Sequence, residues 1–373
     1  LNPPLLFVFG KDINSRLIYV KLKIKENILV IKIRFLNILG DDNVLILAKS
    51  ALALLIGFIT SVTFGYFFIK FLKRVNIRQT VSVFLEERHK KKEGIPTMGG
   101  FIFIIPTIVT AIILLFMNKI EFSNNLLIVL FVFVFYALLG FIDDYLIIKR
   151  HDNEGLTEIQ KLFGQLLIAL VFFYIYIKSG NDPHLTIYTL GINIDMGWFY
   201  GVFLLFVLVA SSNAVNLTDG LDGLAGGLSA IAFLALGIIS WGSTGIQGSG
   251  DIAVFCFILV GALIGFLMFN TYPAKVFMGD VGSLSLGATL ASVAIITSHE
   301  ITFIVIMGVF IVETLVAIIQ QISIIYFHKK IFLMAPLHHH FEKLGWHETD
   351  IVKLFWTCGL ILSMAAIAFG VWI

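Results

Sequence analysis

About ten apolar runs, most near 20 residues long and almost free of charge, recur along this 373-residue chain. A helix needs roughly 20 apolar residues to cross the hydrocarbon core of a bilayer. The runs fall near residues 45–69, 101–117, 126–148, 162–177, 198–215, 221–240, 252–270, 284–297, 303–326 and 351–372. Membrane β-strands would instead be segments of about 10 residues with alternating hydrophobicity, a pattern these runs lack. The expected fold is therefore an all-α polytopic membrane protein of about ten transmembrane helices. Composition agrees: 58% of residues are apolar and 13% charged, against roughly 45–50% and about 25% in soluble domains. Net charge is only +2, so no nucleic-acid partner is expected. Cys256 and Cys358 each lie inside an apolar run. That excludes a disulfide framework, a cysteine-rich zinc site and an iron–sulfur cluster.

Lysine and arginine orient such a bundle, because cytoplasmic loops carry them in excess. The odd-numbered connections hold fifteen and the even-numbered ones two, Lys119 and Lys178. The odd loops are thus expected in the cytoplasm, with both ends of a ten-span chain outside. Residues before about Asp42 do not fit that scheme, since they carry seven Lys and Arg. The alternation over residues 19–25 reads as a half-exposed strand, and no charged n-region precedes a clean apolar run and cleavage site. Residues 1–42 are read as a peripheral extension or a mis-set start. Residues 43–373 form the membrane domain.

Carboxylates close to hydrocarbon are costly and usually mark function. Asp143 and Asp144 end the third run, Asn216, Asp219 and Asp222 lie between the fifth and sixth, and Asp280 precedes the eighth. His338, His339 and His340 lie between the ninth and tenth. All fall on the side assigned to the cytoplasm, on four separate connections that a bundle could converge into one cleft. Each has an ordinary reading as well: solvated helix ends, a capped loop, an N-cap turn. Yet Asp143-Asp144 directly follows an apolar stretch, and adjacent carboxylates repel, so a cation or a shared proton is the expected relief. Magnesium held by carboxylates and phosphate oxygens is one such cation. Asn216, Asp219 and Asp222 recur every third residue, a spacing that shares a broad face on a helix. Three consecutive histidines cannot all point the same way, which argues against a three-ligand zinc site. One or two of them facing a phosphate or a base is the better reading. Glu313, inside the ninth run, is read as a structural carboxylate bonded to a neighbour. The Pro96–Gly100 turn, written Pro96-Thr97-Met98-Gly99-Gly100, would hold Lys92 and Thr97 at the cleft mouth. Lys149 and Lys161 flank the loop of the Asp pair and could meet an anionic headgroup. Acids, an amide, lysines and histidines on one face argue for magnesium-assisted phosphoryl transfer between a soluble and a lipid-dissolved substrate.

Several strings then carry a resemblance that runs from about Leu45 to the end. They are Pro96-Thr97-Met98-Gly99-Gly100, Gly140-Phe141-Ile142-Asp143-Asp144-Tyr145, residues 216–223, and residues 270–280 from Asn270 through Asp280. The last is Ala335-Pro336-Leu337-His338-His339-His340-Phe341-Glu342. On these the chain resembles the polyprenyl-phosphate N-acetylhexosamine-1-phosphate transferase superfamily. The histidine string is similar to that of its muramoyl-pentapeptide branch.

The resemblance implies a substrate pair, UDP-N-acetylmuramoyl-pentapeptide and undecaprenyl phosphate, and a Mg²⁺ cofactor, at the bacterial cytoplasmic membrane. Asp280 would be the principal metal ligand, aided by Asn216 or Asp219. Asp143 or Asp144 would be the base that readies the lipid phosphate. Lys92, Thr97, Asp219, Gly220, Leu221, Asp222, Asn270, Phe277, Gln320 and His339 would surround the uridine diphosphate part, with His338 and His340 at the phosphates. A direct displacement and a covalent aspartyl-phosphate route both stay open, as does a homodimer. An ion-coupled transporter would place its acids mid-span in repeated halves, and no repeat is visible. A transferase using another UDP-sugar is the nearer rival, and the histidine run argues against it. A non-enzymatic scaffold needs none of these acids.

Overall fold

The computed structural model describes residues 46–75, 94–121, 123–150, 155–187, 192–243 and 246–371. Lys92 and the segment before Asp42 lie outside them. The chain divides into two compact units, residues 1–49 and 50–373, and nearly all described residues belong to the second.

The helices are α1 Ile46–Arg74, α2 Phe101–Phe116, α3 Asn124–Arg150, α4 Glu158–Lys178, α5 Phe199–Thr218, α6 Leu224–Gly242 and α7 Ser249–Asn270. They continue with α8 Asp280–Ile296, α9 Glu300–Ile306, α10 Gly308–Phe327, α11 Leu337–Lys343 and α12 Glu348–Val371. Among the described residues eight helices are long and apolar enough to cross a membrane: α1, α3, α4, α5, α6, α7, α10 and α12. The second and eighth runs form the shorter apolar helices α2 and α8. Large apolar side chains stand exposed on the outer helices, among them Phe67, Phe163, Phe206 and Tyr326. In a protein of this composition they are the natural lipid-facing surface.

Three features depart from the sequence reading. Asp280 is not in a loop but opens α8. The ninth run is two helices, α9 and α10, that part at Met307. A hairpin of β1 His184–Ile187 and β2 Ile192–Asp195 pairs antiparallel between α4 and α5. Its alternating Ile192-Asn193-Ile194-Asp195 is a strand pattern, but four residues are too few to stand out beside a span.

The bundle is organised around α8, whose residues from Val281 to Ile296 are all buried. Helices in lipid gain little from hydrophobic association, so they approach through small residues and interhelical hydrogen bonds. Ser283, Ser285, Gly287, Ala288, Thr289, Ala291 and Ser292 supply that surface. A Cβ on Gly287 would collide with the Ser211 carbonyl of α5. Ser211 Oγ donates to the Gly287 carbonyl at 2.7 Å, and Ser285 Oγ to the Phe133 carbonyl of α3 at 2.8 Å. Helix α8 is thereby gripped between α3 and α5, and its first residue is brought to the ends of both.

Candidate active site

The site begins with a helix terminus that has no cap of its own. The first amides of a helix lack intrahelical acceptors. Gly279, ahead of α8, has no side chain to supply one and sits at φ +74°. The acceptor comes from α3: Asp144 Oδ1 and Oδ2 receive the N–H groups of Asp280 and Val281, each at 3.1 Å. Gly140, one turn earlier, permits this approach, because a Cβ there would collide with the Asp280 carbonyl. Gly279 is required for a related reason, since its Cβ would strike Asp144 Oδ2. Asp144 is buried and both of its oxygens serve backbone. Losing such a cap costs about 0.5–2 kcal/mol. Asp144→Ala is therefore expected to lower the melting temperature, by an amount visible in thermal denaturation of the purified protein. An unchanged melting temperature would refute the cap.

Asp280, so placed, turns its carboxylate to two partners. Lys161 Nζ donates to Oδ2 at 2.5 Å, and Asn216 Nδ2 donates to Oδ1 at 2.8 Å. Asn216 also reaches Ser283 Oγ at 2.8 Å, one turn into α8. Lys161 lies 2.9 Å from Asp143 Oδ2 as well, so one ammonium bridges two carboxylates from different helices. The bridge rests on the loop before α4. Asp143 Oδ1 accepts the Leu156 N–H at 2.7 Å, and Arg150 donates to the Gly155 carbonyl at 2.9 Å. Thr157 and Gln160 then close a capping box that starts α4, which sets Lys161 one turn inside the helix. The side chains of Lys161 and Asp280 are each 21% exposed, whereas Asp143 is 4% exposed. A ligand therefore meets Lys161 and Asp280 first. Lys149 stands exposed near the end of α3.

Asn216 is helical, in the last turn of α5, and Asp219 follows as its C-cap. The turn 219–223 is then tied down by polar side chains. Asp222 Oδ2 accepts the Ala274 N–H at 3.0 Å, and its own N–H donates to Glu348 Oε1 at 2.7 Å. Asn270 accepts from the Gly223 N–H and donates to the Val276 carbonyl. Leu221, Asp222 and Asn270 are buried. These residues shape the floor by fastening loops. Pro96–Gly100 lies along the other edge: Gly99 and Gly100 donate to the carbonyls of Phe277 and Met278, and Phe277 donates to that of Pro96. Thr97 is buried there beside Gly279, and Phe277 is half-buried.

The histidine run sits on α11 and divides. His338 is fully buried with its Nδ1 3.1 Å from Glu313 Oε2, and burial pushes its pKa down. Glu313 is thus the neighbour-bonded carboxylate expected from the sequence. His339 and His340 are half-buried; Glu342 lies 2.6 Å from His339 Nδ1, and His340 Nδ1 accepts the Leu333 N–H at 3.1 Å. Gln320 uses its amide on the preceding segment, accepting from Ile331 and Phe332 and donating to the Phe332 carbonyl. The His338 ring abuts Gly220, where a Cβ would collide with Nε2. Through Gly220 and Asn216 the histidine helix joins Asp280 and Lys161 in one continuous floor. Sequence reasoning missed Ser283, Leu156 and Glu348. Only Glu348 carried a signal, as an acid at the start of an apolar run.

Hard oxygen donors and a cation already held between two carboxylates fit a divalent ion of the magnesium kind, which takes one or two carboxylates plus phosphate oxygens. Among the described residues no cluster of three or more His, Cys, Asp or Glu could hold a metal. The remaining ligands would have to come from substrate and water.

Comparison with known proteins shows the family. The family model for Glycosyl transferase family 4 matches residues 126–298. The phospho-N-acetylmuramoyl-pentapeptide-transferase of Bacillus licheniformis is 47% identical over 320 residues, covering 86% of this chain and 97% of that protein. Its counterpart in Geobacillus sp. (strain WCH70) is 46% identical over 322 residues, with 86% and 98% covered. That of Bacillus subtilis (strain 168) is 45% identical over 320 residues, with 86% and 97% covered. At 45–47% identity over 86% of its length, the chain belongs to the phospho-N-acetylmuramoyl-pentapeptide-transferase family.

Proposed function

We propose that the protein transfers phospho-N-acetylmuramoyl-pentapeptide from its UDP-activated form to undecaprenyl phosphate, giving lipid I and UMP. The observation that carries this reading is the Lys161 bridge between Asp143 and Asp280, set beside Asn216 and the histidine helix. It offers positive charge and hydrogen-bond donors to a diphosphate, and carboxylates to a cation. Asp280, with Asn216 or Asp219, would hold Mg²⁺. When bound, the ion neutralises charge on the diphosphate oxygens. Lys161 receives a phosphate, and the half-buried His339 and His340 flank the nucleotide phosphates. Both oxygens of Asp144 hold backbone amides, whereas Asp143 gives one oxygen to the Leu156 N–H and turns the other to the Lys161 side chain, which an incoming phosphate can draw away, so the base role is assigned to Asp143. It would accept any proton left on the lipid phosphate, whose second pKa is near 6. The released phosphate oxygen then attacks the phosphorus that carries the sugar, and UMP leaves.

Purified protein supplied with both substrates should release UMP only when Mg²⁺ is present. Release from UDP-N-acetylglucosamine at a comparable rate would overturn the substrate assignment. The protein is a multi-pass membrane protein, and the loop charges support a site on the cytoplasmic face of a bacterial cell membrane. A reporter fused near Lys343 should read cytoplasmic and one at the C-terminus external. A cytoplasmic C-terminus would mean an even number of spans lies between the two, against the single span α12.

A further inference from the structure

One face of α10 carries polar groups where a span would ordinarily be apolar. Glu313, Gln320 and Ser323 are all buried there, at intervals of seven and three residues that keep them in one row. None faces solvent, and each is spent on the chain that runs from the end of α10 into α11. Ser323 Oγ donates to the Lys329 carbonyl at 2.7 Å. Gln320 makes three bonds to Ile331 and Phe332. Glu313 accepts the His338 backbone N–H at 3.2 Å and lies 3.1 Å from His338 Nδ1. The row thus holds residues 329–338 from end to end.

Glu313 differs from the other two, because it reaches the histidine helix itself. His338 is the second residue of α11, so its N–H is one of the amides the helix cannot satisfy. Pro336, at the N-cap, gives no side-chain cap. Glu313 supplies the acceptor from a neighbouring helix, as Asp144 does for α8. An Nδ1–H donated to the carboxylate leaves Nε2 as the unprotonated nitrogen. Nε2 is buried, has no hydrogen-bond partner and abuts Gly220. The His338 ring also lies against that of His339, with centroids 4.2 Å apart. Its orientation therefore bears on both sides of the nucleotide site, the Asp219–Gly220 turn and the His339 ring. A carboxylate with no exposure at all is expensive in a membrane helix, and the imidazole it meets on α11 is equally buried. Packing alone would be met by apolar residues of the same size.

We infer that Glu313 is a positioning residue: by fixing His338 in its Nδ1–H form, it sets the Gly220 turn and the His339–His340 face against the nucleotide. This deepens the proposed transferase reading and rests on it. The lipid substrate, which would reach the Lys161 end of the floor, is outside its influence.

The test compares wild type with Glu313→Gln, which keeps the size and can bond His338 only with a donor and acceptor rearranged. UMP release is measured against each substrate in turn. KM for the nucleotide substrate should rise about tenfold with KM for undecaprenyl phosphate unchanged. Wild-type values for both, or an equal rise in both, would overturn the inference. A second measurement needs neither activity nor the Glu313 variant. The ¹⁵N spectrum of histidine-labelled wild-type protein should show His338, assigned with His338→Asn, as neutral with Nε2 unprotonated. A proton on Nε2 would overturn the pairing even if Glu313→Gln cannot be purified. If wild-type protein turned over neither substrate, the transferase reading would fail while the spectrum still judged the pair.

Discussion

Asp280→Asn is expected to cut UMP release by about a hundred- to a thousandfold, the range seen when one preorganised electrostatic contact is removed from a transition state. The substitution keeps the shape of the side chain and removes its charge. The fold should survive, because α8 is capped through the Asp280 backbone N–H, which Asp144 still accepts. Asn216 can still donate to the remaining amide oxygen, and Lys161 keeps Asp143 at 2.9 Å. What is lost is a partly exposed carboxylate, beside Lys161 and Asn216, able to hold a cation against a diphosphate. Phosphoryl transfer leaves little covalent work for a protein, so positioning and charge stabilisation supply most of its rate. The measurement is steady-state UMP release at saturating Mg²⁺ together with the melting temperature. Near-normal turnover in a folded variant would remove Asp280 from the metal role. A collapsed melting temperature would make it a structural acid instead.

The spans and the acids were legible in the sequence because both rest on local cost. A run of 20 apolar residues has one stable destination, and an aspartate beside it demands an explanation wherever it falls. Partners were not legible. Asp143 and Asp144 are adjacent and chemically identical, yet one faces Lys161 and the other two backbone amides of α8. Successive helical residues point about 100° apart, and only the packing of α3 on α8 decides which side each side chain meets. Glu313 shows the same limit: its burial was foreseeable, but its partner lies 25 residues away. The break at Met307 was hidden because the run stays apolar across it and no proline marks the place. Gln320 and Asn270, assigned to the nucleotide by resemblance, spend their amides on loops, so their effect on a ligand would pass through the backbone they hold.

Removing the bridging cation should be nearly as damaging as removing the acid. Lys161→Met keeps the length of the side chain and leaves Asp143 and Asp280 facing one another without a counter-charge. Breaking a buried ion pair from one side typically costs about 3–5 kcal/mol, since it strands the other charge. Here Asp280 is partly exposed and can turn toward water, so a smaller loss of stability is expected. Turnover should fall by about two orders of magnitude, because the phosphate loses its nearest donor. Lys161→Arg should recover little, as a planar guanidinium cannot reproduce a point charge between two carboxylates from different helices. The repulsion can be read separately from the chemistry. Adding Asp143→Asn to Lys161→Met should restore much of the lost melting temperature and none of the activity, a coupling that residues in contact show and distant ones do not. Mg²⁺ should raise the melting temperature of Lys161→Met more than that of the double variant, since two carboxylates bind it better than one. If the double variant is no more stable than Lys161→Met alone, repulsion between Asp143 and Asp280 is not what the lysine relieves. Its place on the floor would then be owed to the substrate phosphate.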